Sequence, residues 1–220
     1  LGSAPGFIIV KRTNSADEWF CYHRSLSANN VIYLNLTNAT NSAPNMWNNT
    51  APTSTVFSLG TDTGVNANGG TYVAYLFAHD AGGFGLTGTD NVISCGSVTS
   101  TGDNTVTLGY EPQFLLVKKS NASGDWVLVD TMRGWVDSSG GDIRLYPNLT
   151  SADDSGSVGN PVANGFRLVG ASGDTYIYIA IRRGPMKVPT SGTSVFTPVA
   201  SRSSGTSQAT PIFNAGFPVD

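Results

Sequence analysis

The sequence predicts an all-β protein made of two tandem, related β-sandwich repeats, and three observations lead to that prediction. The chain contains an internal duplication, because residues 1–24 align without a gap onto residues 108–131 at a constant offset of 107. Short runs rich in β-branched and aromatic residues recur between Gly, Pro, Asn and Asp, as is typical of strands. No apolar helical pattern continues for three turns. A repeat of this length has the size of a small domain.

The first repeat shows four strand signals in chain order. The apolar run at 7–11 and the aromatic run at 19–23 flank a polar stretch, 13–18, which predicts a hairpin loop. Further strands are predicted over 31–36 and 71–78. The first repeat is therefore expected to be a β-sandwich over residues 1–84, lacking its first strands.

The second repeat shows the same signals and two more in front of them. Its predicted strands and its hairpin loop follow in chain order: 92–95, 104–108, 114–118, loop 120–125, 126–130, 143–146 and 175–182. With gaps, 35–37 align with 148–150, 57–59 with 166–168, and 72–77 with 176–181. Because loops tolerate changes of length and strands do not, the matched segments are predicted to be strands. This repeat is expected to span 85–187, in a sandwich or jelly-roll arrangement.

Residues 188–220 differ from both repeats in composition. They are rich in Ser, Thr, Gly and Pro and predict an extended linker. Apolar residues return near the end, at 211–218, and indicate the start of a further unit. Since the chain begins inside a repeated motif, it is expected to be an excerpt of a longer protein.

Composition narrows the classes of partner. Only 12% of the 220 residues are charged and the net charge is −3, so the chain offers no electrostatic attraction to nucleic acid. No apolar run reaches the roughly 18 residues that a membrane-spanning helix needs, and no membrane insertion is expected. Cys21 and Cys95 occupy unmatched positions and are expected to be free, buried thiols. Their spacing with the two histidines fits no metal site, so neither a metal nor another cofactor is predicted.

The residues that could support catalysis are few. His23 and His79 lie at strand ends, where a single histidine is more often structural than catalytic. Four aspartates lie in or beside turns, where local backbone bonding favours them: Asp80, Asp90, Asp125 and Asp130. A glycosidase pair would need two carboxylates at a defined separation. The sequence therefore predicts no catalytic residue and no enzyme.

The tryptophans divide into two pairs. Trp19 and Trp126 occupy the same repeat position beside apolar residues and are predicted to lie in the core. Trp47, followed by Asn48, and Trp135 lie in loops among polar residues and are predicted to be exposed. Exposed Trp beside amides suits a sugar-binding site, and it equally suits a subunit interface. A subunit contact is favoured, with glycan contact as the alternative.

Several strings of the first repeat follow one another in a distinctive order, and GYEPQFLLVKKSNASGDWVLVDTMRG comes after them. They are LGSAPGFIIVKR, SADEWFCYHRSL, YLNLTNAT, MWNNTAPTSTVFSLGT and NGGTYVAYLFAHD. This order resembles a repeat found in virion structural proteins of tailed bacteriophages from marine and freshwater hosts, over residues 1–187. The resemblance implies a concanavalin-like or SPRY-like sandwich, a place in the virion, and no enzymatic activity.

The leading hypothesis is a structural component of a tailed-phage virion, either a tail fibre or a tail-associated adhesin. A capsid decoration protein and a carbohydrate-binding, lectin-like module of a microbial surface protein are the alternatives. The low charge predicts self-association as a trimer, with other virion proteins and a host surface glycan as further partners. The first repeat lacks the two strands that precede the second, so its sheet is expected to have an open edge. A neighbouring subunit, an upstream segment, or residues 212–219 acting as a donated strand are expected to cover that edge.

Overall fold

Nearly all regular structure in the described part of the chain is antiparallel β-sheet, which confirms the predicted all-β class. A computed structural model describes residues 2–85, 87–136 and 141–183. The first repeat supplies one sheet in the order β4-β3-β2-β1-β5. Its strands are β1 (Pro5–Arg12), β2 (Trp19–His23), β3 (Asn30–Tyr33), β4 (Asn41–Ser42) and β5 (Tyr72–Ala78). The helix α1 (Thr63–Asn66) is a single turn, and the side chain of Asp62 accepts a bond from Gly64 N at its start.

The second repeat supplies the other sheets. Its strands are β6 (Ile93–Thr99), β7 (Asp103–Thr107), β8 (Pro112–Lys119), β9 (Trp126–Asp130), β10 (Asp142–Arg144), β11 (Asp154–Gly156), β12 (Gly159–Val162), β13 (Gly165–Val169) and β14 (Thr175–Arg182). The second sheet has the order β6-β14-β8-β9 and the third sheet the order β12-β13-β7. Strands β10 and β11 form a separate ribbon.

The duplication extends to the strand register. In the first sheet Phe7 lies opposite His23, and in the second sheet Phe114 lies opposite Asp130, so both partners are displaced by the same 107 residues. The pairing of β1 with β5 shifts between Pro5 and Phe7, and the pairing of β8 with β14 shifts at the corresponding place. Both repeats therefore share one bulged, three-stranded framework: β5-β1-β2 in the first and β14-β8-β9 in the second.

The two hairpin loops are also held in the same way. Asn14 Nδ2 donates to Gly69 O at 3.0 Å, and Asn121 Nδ2 donates to Gly173 O at the same distance. The side-chain oxygen of Asn121 accepts from Thr175 N, as that of Asn14 accepts from the corresponding threonine. These bonds fasten each hairpin loop to the residue that leads into the last strand of its framework.

One tightly packed cluster contains residues of both repeats. This central cluster consists of Phe7, Ile9, Cys21, Ile32, Cys95, Leu116, Trp126, Ile177 and Ile179. Side-chain hydrogen bonds also cross between the repeats, from Trp126 Nε1 to Tyr33 O (2.7 Å) and from Lys118 Nζ to Thr37 O (3.0 Å). Leu1–Gly184 accordingly forms one compact unit. The repeat boundary at 84/85 stays a prediction.

The outer faces of the two main sheets are covered differently. The third sheet covers the second through a cluster that includes Val117, Phe166 and Leu168. On the first sheet, Val10 and Tyr22 pack against side chains from the loop between β4 and β5, without a further sheet. The predictions that 35–37 and 148–150 form strands are wrong, because both segments lie outside the strands. The prediction that 57–59 forms a strand is also wrong, since these residues have no strand partner. Their counterpart lies on β13, which is held between β7 and β12, and no described strand takes the place of β7 in the first repeat.

Among the described residues, no helix is long and apolar enough to cross a membrane. The predicted linker at 188–220 and the predicted further unit at 211–218 lie outside the described residues, as does the end of the second repeat at 184–187.

Candidate functional site

Polar side chains meet where β5 ends and β6 begins, and we call His79, Asp80, Ser94 and Tyr110 the polar junction. Ser94 Oγ donates to Asp80 Oδ1, and Tyr110 Oη donates to Ser94 Oγ at 2.9 Å. The backbone N–H of Asp80 donates to Ile93 O at 2.9 Å, while φ of Asp80 is 43°, in the left-handed region. The junction thus fixes the connection between the two repeats.

Burial keeps the imidazole of His79 mainly neutral. Its Nδ1 accepts from Cys95 N at 3.1 Å, so Nε2 carries the hydrogen and lies 3.4 Å from Asp80 Oδ2. Desolvation lowers the pKa of His79, and Asp80 opposes that shift without reversing it. A neutral histidine in this position orients the carboxylate of Asp80.

Ser94 is not arranged as a nucleophile. An activated serine donates its proton to a base such as histidine, whereas Ser94 donates to the carboxylate of Asp80. The serine is buried, and Tyr110 occupies its acceptor side. Burial also raises the pKa of Tyr110 to about 12, which keeps that hydroxyl protonated. The junction is therefore a hydrogen-bonded brace.

A cleft of about 300 Å³ opens beside the junction and is lined by Pro5, Tyr22, Arg24, Pro52 and His79 among others. Arg24 is exposed and has no ion-pair partner in the part of the chain that the structure describes. Its positive charge contributes to lowering the pKa of His79. An unpaired guanidinium between proline and tyrosine walls can bind a carboxylate or sulfate group through paired N–H donors.

The cations of a second cleft are paired. This cleft of about 170 Å³ holds Lys119 and Arg144. Lys119 lies 2.6 Å from Asp174 and Arg144 lies 2.8 Å from Asp154, so both cations are already satisfied. The Arg24 cleft is thus the better candidate for binding an anionic group.

The aspartates considered for a glycosidase pair have structural partners. Asp90 pairs with Arg182 at 3.0 Å and Asp130 with Arg133 at 3.1 Å. Asp125 accepts from Asn148, and Asp80 belongs to the polar junction. Across 2–85, 87–136 and 141–183, no three His, Cys, Asp or Glu side chains are placed to hold a metal ion.

A comparison with protein families gives one match, to a family described as "Domain of unknown function (DUF7483)", over residues 1–185. The chain belongs to the DUF7483 family. The match covers both repeats of this DUF7483 chain together, which agrees with a core that both repeats share. Searches of curated proteins and of solved structures find no match.

The structure buries two of the three residues predicted to make contacts in this DUF7483 chain. Trp47 is 2% exposed and Trp135 is 0% exposed, so the prediction that both are exposed is wrong. Trp47 Nε1 donates to Asn30 O, and Trp135 Nε1 donates to Gly159 O, each at 3.0 Å. The loops fold back so that each indole fills a cluster on an outer sheet face while its N–H stays bonded. Neither ring is free to stack on a sugar.

Asn48 remains exposed, with φ at 51°, and its contact role stays a prediction. Trp126 is buried in the central cluster, and Trp19 packs against that cluster while partly exposed. Cys21 and Cys95 are free and buried, as expected, and burial raises the pKa of the Cys95 thiol to about 12. Such thiols are poor nucleophiles.

Arg24 was not singled out from the sequence. Its counterpart at the 107-residue offset is Thr131, so the duplication itself gives no signal for a cation there. The hydrogen bonds of His79, Asp80 and Ser94 were also missed. Asp80 and Ser94 are 14 residues apart in the sequence and meet only in the folded chain.

Proposed function

We propose that this DUF7483 chain is a non-enzymatic structural component of a tailed-phage virion, in a tail fibre or a tail-associated adhesin. The observation that carries the proposal is the tandem duplication, in which two copies of one bulged framework share the central cluster. A duplicated, low-charge β unit suits a repetitive appendage better than a one-site enzyme. The order of strings in the first repeat, which resembles phage virion repeats, adds support.

The use of the polar side chains favours a structural role. Ser94 and Asp80 bond to each other, and the cations of the second cleft are paired, so these groups are committed to holding the fold. Catalysis needs a nucleophile, a base and space for a substrate in one place. The described residues offer the Arg24 cleft for binding and no adjoining activated nucleophile.

The finer fold assignment belongs to the same proposal. Two main sheets with a common core are what a β-sandwich requires, and a concanavalin-like or SPRY-like sandwich is the arrangement that we infer. Each repeat has a cluster of its own on the outer face of its main sheet, and two independent tandem jelly rolls would have no third cluster in common. The shared central cluster favours one sandwich with a sheet from each repeat.

Assembly and location follow from the proposed role. We expect copies of the chain to associate with one another, as a trimer by analogy with fibre proteins, and with other virion proteins, in the extracellular particle. Labelling intact phage particles from the source with gold-conjugated antibody against this chain tests the proposal. Gold at the tail or its fibres is expected. Gold only on the head would move the chain to capsid decoration, and unlabelled particles would overturn a virion role.

Carbohydrate binding is the second candidate function, and the Arg24 cleft is the observation that favours it. The unpaired cation suits an acidic glycan, which a phage adhesin or a lectin-like module could contact. On an array of acidic and neutral glycans, binding to acidic members should disappear with Arg24→Ala. The matched control is Arg183→Ala, another exposed arginine near a strand end. Equal loss with both variants, or no binding by the parent chain, would reject a site in this cleft.

A further inference from the structure

Strand β5 ends the first sheet, whereas its repeat counterpart β14 lies inside the second sheet. The outer side of β14 is covered by β6, with Tyr178 opposite Gly96. The exposure of equivalent residues shows the difference. Ile179 on β14 is 2% exposed, and Tyr75 at the same position of β5 is 47% exposed. The fold thus provides its own comparison between a covered and an uncovered copy of one strand.

The open backbone groups of β5 can be assigned from the hydrogen-bond alternation. Thr13 N donates to Thr71 O, so odd-numbered residues from 71 onward bond to β1 and even-numbered residues point outward. The same alternation on β14 is confirmed by Arg182 N, which donates outward to Val92 O at 2.8 Å. The outward groups of β5 are those of Tyr72, Ala74, Leu76 and Ala78, and no strand of the described part pairs with them.

The sequence of β5 does nothing to block this edge. Exposed edge strands are usually protected by charged side chains, proline or a bulge toward solvent. The seven residues YVAYLFA contain no charged residue, no proline and no glycine. The bulge in the pairing with β1 lies on the β1 side and leaves the outer edge of β5 straight.

We propose that β5 pairs antiparallel with β5 of a second copy, about a two-fold axis at Tyr75. In that register Tyr72 faces Ala78, Val73 faces Phe77 and Ala74 faces Leu76, so in these three pairs a larger residue meets a smaller one, while Tyr75 faces Tyr75 at the axis. The outward residues of one copy lie opposite outward residues of the other, which allows every open N–H and C=O between Tyr72 and Ala78 to bond. A strand that is self-complementary about its centre suits an isologous interface between identical chains.

This inference goes beyond the proposed function, because a two-fold pairing of β5 is a contact separate from the trimer expected there, and it does not depend on the phage assignment. An unlabelled particle would remove the virion role and leave edge pairing intact. Failure of edge pairing would leave the virion role intact.

Disulfide trapping in the full chain gives the most direct test. In the proposed register, the two copies of residue 75 form a non-hydrogen-bonded pair with Cα atoms roughly 4.5 Å apart, which a disulfide can bridge. Tyr75→Cys should form a covalent dimer on mild oxidation. Val73→Cys is the matched control, because residue 73 faces Phe77 of the second copy, and it should cross-link at least about ten-fold more slowly. The native thiols are buried and do not compete. Absence of a Tyr75→Cys dimer, or equal rates for the two variants, would overturn the proposal.

Light scattering of the chain without added cysteines gives the second test. Ala74→Pro removes an outward N–H that β1 does not use, and Ala74→Lys adds a charge to the edge, so both variants keep the pairing within the first sheet. Each should raise the dimer Kd by roughly ten-fold or more, the equivalent of about 1.4 kcal/mol. Met132→Lys adds the same charge at an exposed site away from the edge and should have no effect.

A dimer that persists in Ala74→Pro would reject the proposal, as would a wild-type chain that stays monomeric at roughly millimolar concentration. A trimer that tolerates both Ala74 variants would show that copies associate elsewhere. Slow amide exchange along β5 in a monomer would show that another segment of the same chain covers the edge, and would also reject pairing between copies.

Discussion

At the scale of single residues, His23 is a buried titratable group that joins the two repeats. Its Nδ1 accepts from Ser25 N, and its Nε2 donates to Tyr178 O at 3.1 Å, so one imidazole ties the end of β2 to β14 of the other repeat. Burial lowers the pKa of His23 to about 4, and the positive charge of Arg24 adds to the shift. The neutral ring is therefore part of the packed structure.

This gives a pH dependence of defined sign. The folded pKa lies below the ordinary value of 6.5, so the unfolded chain binds the proton more readily as the pH falls through that window. The stability that His23 contributes is complete above about pH 6.5 and decreases toward pH 4, by roughly 2 kcal/mol at pH 4.5. Urea unfolding at pH 7.5 and pH 4.5 measures the loss.

The control for that prediction is His23→Gln, which keeps a donor for Tyr178 O and removes the titration. The parent chain should lose about 2 kcal/mol more than the variant between the two pH values. Equal losses would mean that His23 is not held neutral by its surroundings.

Two asparagines act as matching clasps, one in each repeat. Asn148 Oδ1 accepts from Trp126 N at 2.9 Å and Nδ2 donates to Asp125 Oδ1 at 2.7 Å. Asn35 makes the same two bonds, to Trp19 N and to the carboxylate of Glu18. Each clasp orders the start of the second strand of its hairpin.

Removing either clasp should lower the free energy of unfolding. Asn148→Ala and Asn35→Ala each leave a backbone N–H and a carboxylate without this partner, at a cost of about 1–3 kcal/mol. Asn66→Ala serves as a control for losing one asparagine bond outside the shared framework, and it should cost less. Chemical denaturation of the three variants measures the difference. An Asn148→Ala chain as stable as its parent would show that the clasp is dispensable.

At the scale of elements, the first strand approaches β6 closely at one glycine. A Cβ on Gly6 would lie 2.7 Å from His79 Cβ and 2.8 Å from Cys95 Cβ, distances that real side chains do not reach. The bulge that displaces Gly6 recurs in β8, where Gln113 occupies the corresponding position. The first repeat therefore needs glycine where the second accepts a long side chain.

Gly6→Val should destabilise the chain by about 2–4 kcal/mol, because it forces β1 away from the polar junction. The matched change at the second bulge, Gln113→Val, should cost less than about 1 kcal/mol. Thermal unfolding followed by circular dichroism compares the two. Similar melting temperatures for both variants would contradict the close approach.

The elements also show what the sequence can and cannot predict. The strands 19–23, 126–130 and 175–182 were predicted with their observed bounds, because β-branched and aromatic runs recur at a fixed offset. The segment 57–59 was predicted as a strand and is not one, since a strand needs a partner that the local sequence does not reveal. Trp47 and Trp135 were predicted to be exposed because their sequence neighbours are polar. Their burial depends instead on how the surrounding loop folds back. The Arg24 cleft is built from four separate segments of the first repeat and has no local signature.

At the scale of the whole molecule, the central cluster makes each repeat depend on the other. Phe7 and Ile9 of the first repeat pack with Leu116 and Trp126 of the second, and His23 and Lys118 bond across the same interface. Separating the halves would expose this apolar surface, which is too costly for a small sheet to tolerate.

Residues 1–84 expressed alone should therefore fail to form a stable monomeric fold, and should aggregate or remain largely unfolded by circular dichroism. Mixing them with residues 85–187 should restore structure, because the central cluster can reform between fragments. A soluble, cooperatively unfolding monomer from residues 1–84 would show that the first repeat has a sufficient core of its own.

The recurring register and hairpin bonds also allow the two repeats of this protein to be compared position by position. After a duplication, each copy is free to drift wherever the common framework does not constrain it. Positions that still agree, such as Asn14 with Asn121, make the same bonds in both copies, so both frameworks use them. Positions that differ, such as Arg24 with Thr131, are those at which the common framework does not fix the side chain. A comparison of the two halves of one chain thus separates the side chains that the framework requires from those that it leaves free.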